Sequence, residues 1–167
     1  ADVTDGNLVK TVELTKAVKV LDGKATTEPA TDDNGVYQIG TGAELAWFAQ
    51  KVNSGSGSIS AVLTKDIDLA AYNWTPIGMN STGKKFAGSF DGQGHTIMNL
   101  SINYAGTNTQ SPYKGLFGYV AGANNNNRAV VQNLTVQGSV TLTSNKNVSA
   151  AYSGGVIGRA EYADITN

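Results

Sequence analysis

The chain has a single histidine, His95, which follows a glycine-rich turn that begins at Asp91. A histidine beside a carboxylate is a common pair for general acid–base catalysis. Neither a serine elbow nor a set of metal ligands accompanies the pair in the sequence, so we interpret His95 as a residue that faces out from a turn or covers it. The sequence therefore predicts no catalytic residue and no histidine-based metal site here.

Two acidic residues, Asp66 and Asp68, occupy alternate positions of a predicted strand, which places both side chains on one face. Paired carboxylates can serve glycoside hydrolysis or bind calcium. We favour the interpretation in which both lie on the outer face, Ile67 points inward and Leu69 turns the corner. The sequence leaves calcium binding by the two carboxylates open.

Tyrosines are the candidates for ligand binding, because an aromatic ring with a polar tip suits contact with sugars. They are Tyr104, Tyr113, Tyr119, Tyr152 and Tyr162. We take Tyr104, Tyr113 and Tyr119 as the candidate binding residues. The alternative is that these rings only complete the packing between loops.

Composition excludes several classes of function. The 167 residues include no cysteine, which excludes disulfides, thiol catalysis and thiolate metal sites. The net charge of −1, with dispersed Lys and Arg, gives no electrostatic basis for binding nucleic acid or an anionic membrane. No apolar run approaches the roughly 20 residues of a membrane-spanning helix. We expect no cofactor, no nucleic-acid partner and no membrane insertion.

The elements that position these residues are indicated by a repeated phrase. Residues 97–102, Ile-Met-Asn-Leu-Ser-Ile, return as Val-Gln-Asn-Leu-Thr-Val at residues 131–136, and residues 165–167 begin a third copy. The asparagines of these copies are 34 residues apart. Such repetition is typical of a solenoid, whose turns bury their inner faces against their neighbours. We therefore predict stacked strands, with Asn99 and Asn133 at equivalent corners of adjacent layers.

A short helix is predicted ahead of the strands. Thr41 and Glu44 match a capping box, and residues 53–55 provide a stop. The apolar stripe of this helix consists of Leu45, Phe48, Ala49 and Val52. A single amphipathic helix before many strands predicts a lid that covers the first turn of the solenoid.

The chain divides into two parts. Residues 1–35 lack the repeat and are predicted to form an N-terminal β appendage and a linker, although helical spacing also fits part of residues 9–21. Residues 36–167 form the predicted repeat domain. Its last copy breaks off at Asn167 without a visible cap, so we expect a domain truncated at its C-terminal end. The rest of a longer parent chain, or a partner, would cover that edge.

A second phrase carries a family resemblance. Residues 115–118, Gly-Leu-Phe-Gly, return as Gly-Val-Ile-Gly at residues 155–158, each followed by an Ile/Val-x-Asn strand, and residues 74–78 and 86–97 precede them. Over residues 36–167 the chain resembles the GLUG-type repeats of large bacterial surface and secreted proteins, including segments that accompany immunoglobulin-A-cleaving metallopeptidases. The resemblance implies a right-handed parallel β-helix without catalytic residues.

The function expected from these observations is not enzymatic. We predict a secreted or bacterial cell-surface module, an adhesin or stalk that presents loops to a host protein or glycan. One alternative is a polysaccharide lyase or glycoside hydrolase on the same fold, which would need several acidic and basic groups in one groove. Another is a non-catalytic fragment of a larger surface peptidase.

Overall fold

A computed structural model of the chain describes residues 26–106, 113–144 and 150–167, which contain twelve strands and one helix. In chain order the elements are β1 Tyr37–Ile39, α1 Gly42–Asn53, β2 Ala61–Leu63, β3 Ile67–Asp68, β4 Ser89–Asp91, β5 Thr96–Gly106, β6 Tyr113–Lys114, β7 Phe117–Ala121, β8 Ala129–Gln132, β9 Thr135–Ser144, β10 Tyr152–Ser153, β11 Ile157–Glu161 and β12 Ala163–Thr166. The helix in these residues is not long and apolar enough to span a membrane.

The strands form four sheets, and every pairing between these strands is parallel. The largest sheet has the order β1-β2-β4-β8-β12, and a second has the order β3-β5-β9. The pairs β7–β11 and β6–β10 form the other two. Parallel neighbours need long connections, and here those connections contain the strands of the other sheets. The described part of the chain is therefore mostly β with one helix, as the repeats and the capping box predicted.

The helix begins where the capping box predicted. Thr41 accepts a hydrogen bond from the amide of Glu44 (3.2 Å), and the Glu44 carboxylate accepts one from the amide of Gly40 (2.8 Å). Two amides at the start of the helix region are thereby satisfied. The predicted apolar stripe of Leu45, Phe48, Ala49 and Val52 is buried, and Ala46 is buried beside it.

Four phenylalanine rings join the helix to the sheets. Phe48 of α1 lies 6.0 Å from both Phe86 and Phe90, measured between ring centroids. Each of those two rings lies 5.2 Å from Phe117 of β7. All four side chains are fully buried. The helix therefore shares one apolar core with β4 and β7.

Part of the predicted N-terminal appendage can be located. Residues 26–35 lie beside the first strand, where the amide of Gln38 donates to the carbonyl of Ala30 (2.8 Å). The strand predicted within residues 9–21 lies outside the described residues. The division of the chain at residue 35 stays a prediction.

The predicted stacking of Asn99 on Asn133 is wrong. Ile97, two residues before Asn99, pairs with Val136 of β9, whereas Val131, two residues before Asn133, pairs with Phe90 of β4. The first copy lies within β5, whereas the second begins in β8 and crosses the bend at Asn133 into β9, so the two copies are out of register. The second and third copies are in register, because Val131 also pairs with Ile165.

The two asparagines share a local conformation instead of a position. Their φ angles are positive, 57° at Asn99 and 52° at Asn133, a region that Asn adopts more readily than most residues. Each side chain donates to an aspartate, Asn99 to Asp68 (2.9 Å) and Asn133 to Asp91 (3.1 Å). The repeated phrase thus encodes a bend with an amide-to-carboxylate bond, wherever in the stack the bend occurs.

The second phrase places a glycine where the backbone is crowded. A Cβ atom on Gly118 would lie 2.5 Å from the carbonyl oxygen of Gly78 and 3.0 Å from that of Tyr113. A Cβ atom on Gly155, in the other copy of the phrase, would meet nothing within 4 Å. Close contact therefore requires glycine at position 118, which ends the first copy, and does not require it at position 155, which begins the second copy.

We expect Gly118→Ala to lower the free energy of unfolding by about 1–3 kcal/mol, because neighbouring backbone must move. Gly155→Ala is the matched control, and we expect it to change stability by no more than about 0.5 kcal/mol. Urea unfolding monitored by circular dichroism measures both. Equal effects of the two substitutions would contradict the backbone packing described here.

Candidate functional site

Two of the three candidate tyrosines, Tyr113 and Tyr119, meet on four short strands. Tyr113 of β6 pairs with Tyr152 of β10, and Tyr119 of β7 pairs with Arg159 of β11. Residues at paired positions of parallel strands point the same way, so their side chains come together. With Glu161, these residues form what we call the tyrosine–arginine cluster.

The rings of the cluster surround one guanidinium. Tyr113 lies 5.3 Å from Tyr119 and 5.0 Å from Tyr152, between ring centroids. The Arg159 Cζ atom lies 5.8 Å, 5.1 Å and 5.3 Å from the centroids of Tyr113, Tyr119 and Tyr152. These distances are within the range of cation–π attraction.

Hydrogen bonds hold the polar ends of the cluster. The Tyr119 hydroxyl donates to the Glu161 carboxylate (2.5 Å), and Arg159 donates both to that carboxylate and to the Tyr113 hydroxyl, the latter at 3.0 Å. The bond from Tyr119, together with the Arg159 charge, lowers the pKa of Glu161. Burial and the bond to Glu161 raise the pKa of Tyr119 to about 12. At neutral pH the cluster thus contains a phenol, a carboxylate and a guanidinium that satisfy one another.

The three candidate binding residues differ in their exposure. Tyr119 is only 3% exposed, and the Lys85 ammonium lies 4.6 Å from its ring centroid, so it presents no free face to a ligand. Tyr113 is half-buried and is the candidate that can contact a ligand. Tyr104 lies on β5, with the Lys114 ammonium 4.5 Å from its ring centroid, and burial lowers the pKa of Lys114. The structure therefore brings Tyr113 and Tyr119 together.

Arg159 is the residue that sequence reasoning missed. The signal was present, because Arg159 occupies in the second copy of the Gly-x-x-Gly phrase the place that Tyr119 occupies in the first. Lys85 precedes Phe86, which forms a bridge with Val120, next to Tyr119. The Tyr119 ring consequently lies between two cations from neighbouring segments, Lys85 on one side and Arg159 on the other.

We expect the alkaline titration of tyrosine absorbance to contain a phenol with a pKa of about 12, well above the usual value near 10. The raised value means that the folded protein holds this proton more tightly. It therefore stabilises the fold below pH 10, and that stability is lost as pH rises toward 12. The late phase should be missing from Tyr119→Phe and present in Tyr162→Phe, in which an exposed ring is changed. A late phase of equal size in both variants would contradict the assignment.

The aspartates and the histidine form a separate row on exposed bends. Asp66 accepts from the Thr96 amide (2.9 Å) and pairs with His95 Nδ1 (3.2 Å), and these contacts lower its pKa. Asp68 accepts from Asn99 and from the Ala70 amide, which lower its pKa as well. Each carboxylate is thus occupied in joining neighbouring segments.

The outward placement of the aspartates is confirmed. Asp66 and Asp68 are exposed, while Ile67 is 1% exposed and Leu69 is fully buried. The partner of His95 is Asp66 and not the sequence neighbour Asp91. Among the residues that the structure describes, no three His, Cys, Asp or Glu side chains are grouped to hold a metal ion.

A groove of about 380 Å³ lies between α1 and the segment around Trp74. Its helix side includes the small residues Ala46 and Ala49, and Met79 and Lys84 lie on the other side. None of the candidate tyrosines lines it. The groove is therefore distinct from the tyrosine–arginine cluster.

Comparisons with known proteins give one partial likeness. A stretch of 72 residues is 39% identical to part of halomucin from Haloquadratum walsbyi. The stretch covers 43% of this chain and 1% of halomucin, so the chain corresponds to a very small part of that relative's length. No family model and no solved structure matches the chain. None of this bears on the resemblance to GLUG-type repeats, which stays a prediction.

Proposed function

We propose that the chain is a non-catalytic module of a secreted or bacterial cell-surface protein, built as a right-handed parallel β-helix with α1 as its lid. The observation that best supports this proposal is the run of contacts across neighbouring strands. Lys85, Tyr119 and Arg159 stack through cation–π contacts, and Asp68 and Asp91 accept bonds from residues on later segments. Polar groups used in this way stabilise the contacts between neighbouring segments, which is what a scaffold requires.

A surface location is supported by two likenesses. The repeated Gly-x-x-Gly phrases resemble GLUG repeats of bacterial surface proteins, and a stretch of the chain resembles part of halomucin. A stalk or adhesin suits such a location, because a repeat scaffold holds its loops at a fixed distance from their anchor.

The partner that we propose is a glycan or a protein of a host. Tyr113 and Tyr152 are half-buried rings next to each other, so part of each remains available for contact. Arg159 holds both rings in place, which lowers the entropy lost on binding. Tyr119 supports them from below and is not itself a contact residue.

The test combines a binding array with an activity screen. The full chain is applied to glycan and host-protein arrays and incubated with a panel of polysaccharides. We expect at least one binding partner, whose affinity falls about tenfold in Tyr113→Ala, a loss of about 1.4 kcal/mol. The matched control Tyr162→Ala changes an exposed tyrosine outside the cluster and should bind as the parent does. Release of reducing or unsaturated sugars would overturn the non-catalytic assignment, and equal effects of the two substitutions would overturn the binding surface.

A further inference from the structure

We propose that the groove beside α1 binds a small carboxylate with an apolar body, such as an aryl-alkanoate. This site is separate from the tyrosine–arginine cluster and does not depend on the function proposed above. The shape of the groove, its aromatic wall and the lysine that lines it support this assignment.

The space exists because two helix residues are small. Ala46 and Ala49 lie on the α1 side of the groove, where longer side chains would fill it. The volume of about 380 Å³ lies within the range of small-molecule sites. A ligand the size of one substituted ring fits such a space.

The opposite wall contains two buried aromatic rings. Tyr72 and Trp74 are 7% and 5% exposed, and the Trp74 indole N–H donates to the carbonyl of Leu116 (3.0 Å). Met79 is 42% exposed at the rim, where a bound apolar group would cover it. The wall is thus prepared for an apolar partner without rearrangement.

Among the residues that the structure describes, Lys84 is the one charged side chain that lines the groove. Lys84 has no ion pair with any residue in the described ranges, and no described carboxylate lines the groove beside it. The Met79 amide donates to the Lys84 carbonyl (2.8 Å), so a short loop fixes the backbone of Lys84 beside Met79. An ammonium with three donors and no partner suits an incoming carboxylate.

One neutral polar residue at the rim is not available to a ligand. Asn53 is occupied, because its amide donates to the carbonyl of Pro76 (2.9 Å) and accepts from the amide of Gly78 (2.9 Å). It positions the loop and is not available to a ring of hydroxyls. Lys84 beside the buried aromatic rings matches an apolar carboxylate, and a sugar probe tests the polar residues Gln50, Asn73 and Thr75 that also line the groove.

The experiment uses the fluorescence of Trp74 in the full chain. The chain has two tryptophans, so Trp47→Phe leaves Trp74 as the only reporter. In this background we titrate 3-phenylpropionate, its uncharged amide and glucuronate. We expect 3-phenylpropionate to bind about tenfold or more tightly than the other two, which corresponds to about 1.4 kcal/mol.

Two neighbouring lysines give a matched pair of variants. Lys84→Ala should abolish the preference for the carboxylate over the amide, whereas Lys85→Ala, whose ammonium lies over Tyr119, should preserve it. Equal binding of acid and amide, or a preference that survives in Lys84→Ala, would overturn the role of Lys84. Tighter binding of glucuronate would overturn the apolar body, and no response of Trp74 to any probe would overturn the site.

Discussion

We expect Phe90→Ala to lower the free energy of unfolding by about 3–5 kcal/mol, the range for removing a large ring from a packed core. The Phe90 side chain is fully buried. It lies 6.0 Å from Phe48 of the helix and 5.2 Å from Phe117 of β7. Its strand, β4, lies in the middle of the five-stranded sheet, between β2 and β8. Truncation therefore leaves a cavity with walls from three elements, none of which can close it alone.

Chemical denaturation monitored by circular dichroism measures this loss. The control is Ser89→Ala in the same strand, a half-buried position where we expect a change of about 0.5 kcal/mol or less. A loss below about 1 kcal/mol in Phe90→Ala would mean that the ring is not at the centre of the core.

Phe48→Ala should destabilise the protein by a similar amount, about 3–5 kcal/mol, for a different structural reason. Phe48 is the residue of α1 that contacts the rings of Phe86 and Phe90, and it also lies 6.2 Å from Tyr37 of β1. Its loss loosens the helix from the interior of the strands. We therefore also expect increased binding of a hydrophobic dye, which an exposed interior would cause. Gln50→Ala, an exposed position of the same helix, is the control for both measurements.

The double variant tests whether the helix and the strands form one core. Because the two rings are in contact, the losses in Phe48→Ala and Phe90→Ala should not add, and we expect an interaction energy of about 0.5–3 kcal/mol. Strict additivity would contradict a direct contact between the helix and β4.

The helix could be predicted from the sequence because its signals are local. Thr41, Glu44 and the apolar stripe fall within one short segment, and each specifies a contact inside that segment or one face of it. The outward placement of Asp66 and Asp68 was predictable for the same reason, since alternation along a strand is a local property.

The register of the sheets could not be predicted from the repeated phrase. Asn99 and Asn133 occupy the same kind of local bend, which explains why the phrase repeats. The connections between paired strands differ in length, so the repeat distance does not give the register. Ile67 pairs with Ile97, for example, but Phe90 pairs with Val131. A phrase that encodes a bend does not determine which strand lies opposite.

The sequence predicted which residue type forms the candidate site, but it did not predict how exposed each tyrosine is. Tyr113 and Tyr119 were identified as aromatic candidates, but the burial of Tyr119 depends on Lys85 and Arg159, which lie far from it in sequence. The contact with Arg159 follows from the pairing of β7 with β11, and the contact with Lys85 follows from the bridge between Phe86 and Val120. Neither contact can be predicted until the register of the strands is known.

Crosslinking by introduced cysteines tests the parallel stack most directly, because the chain has no cysteine of its own. Ser101 of β5 pairs with Ser139 of β9, and both are exposed. Neighbouring strands lie about 4.8 Å apart, within the Cα separations of about 4.4–6.8 Å that disulfides bridge.

Mass spectrometry after mild oxidation gives the result. The account predicts that Ser101→Cys with Ser139→Cys forms an intramolecular disulfide. Ser101→Cys with Thr135→Cys, the pair that the repeated phrase would align, should stay reduced, because Thr135 lies four residues or about 13 Å along the strand from Ser139. A disulfide in the second pair and none in the first would contradict the parallel register on which the proposed scaffold depends.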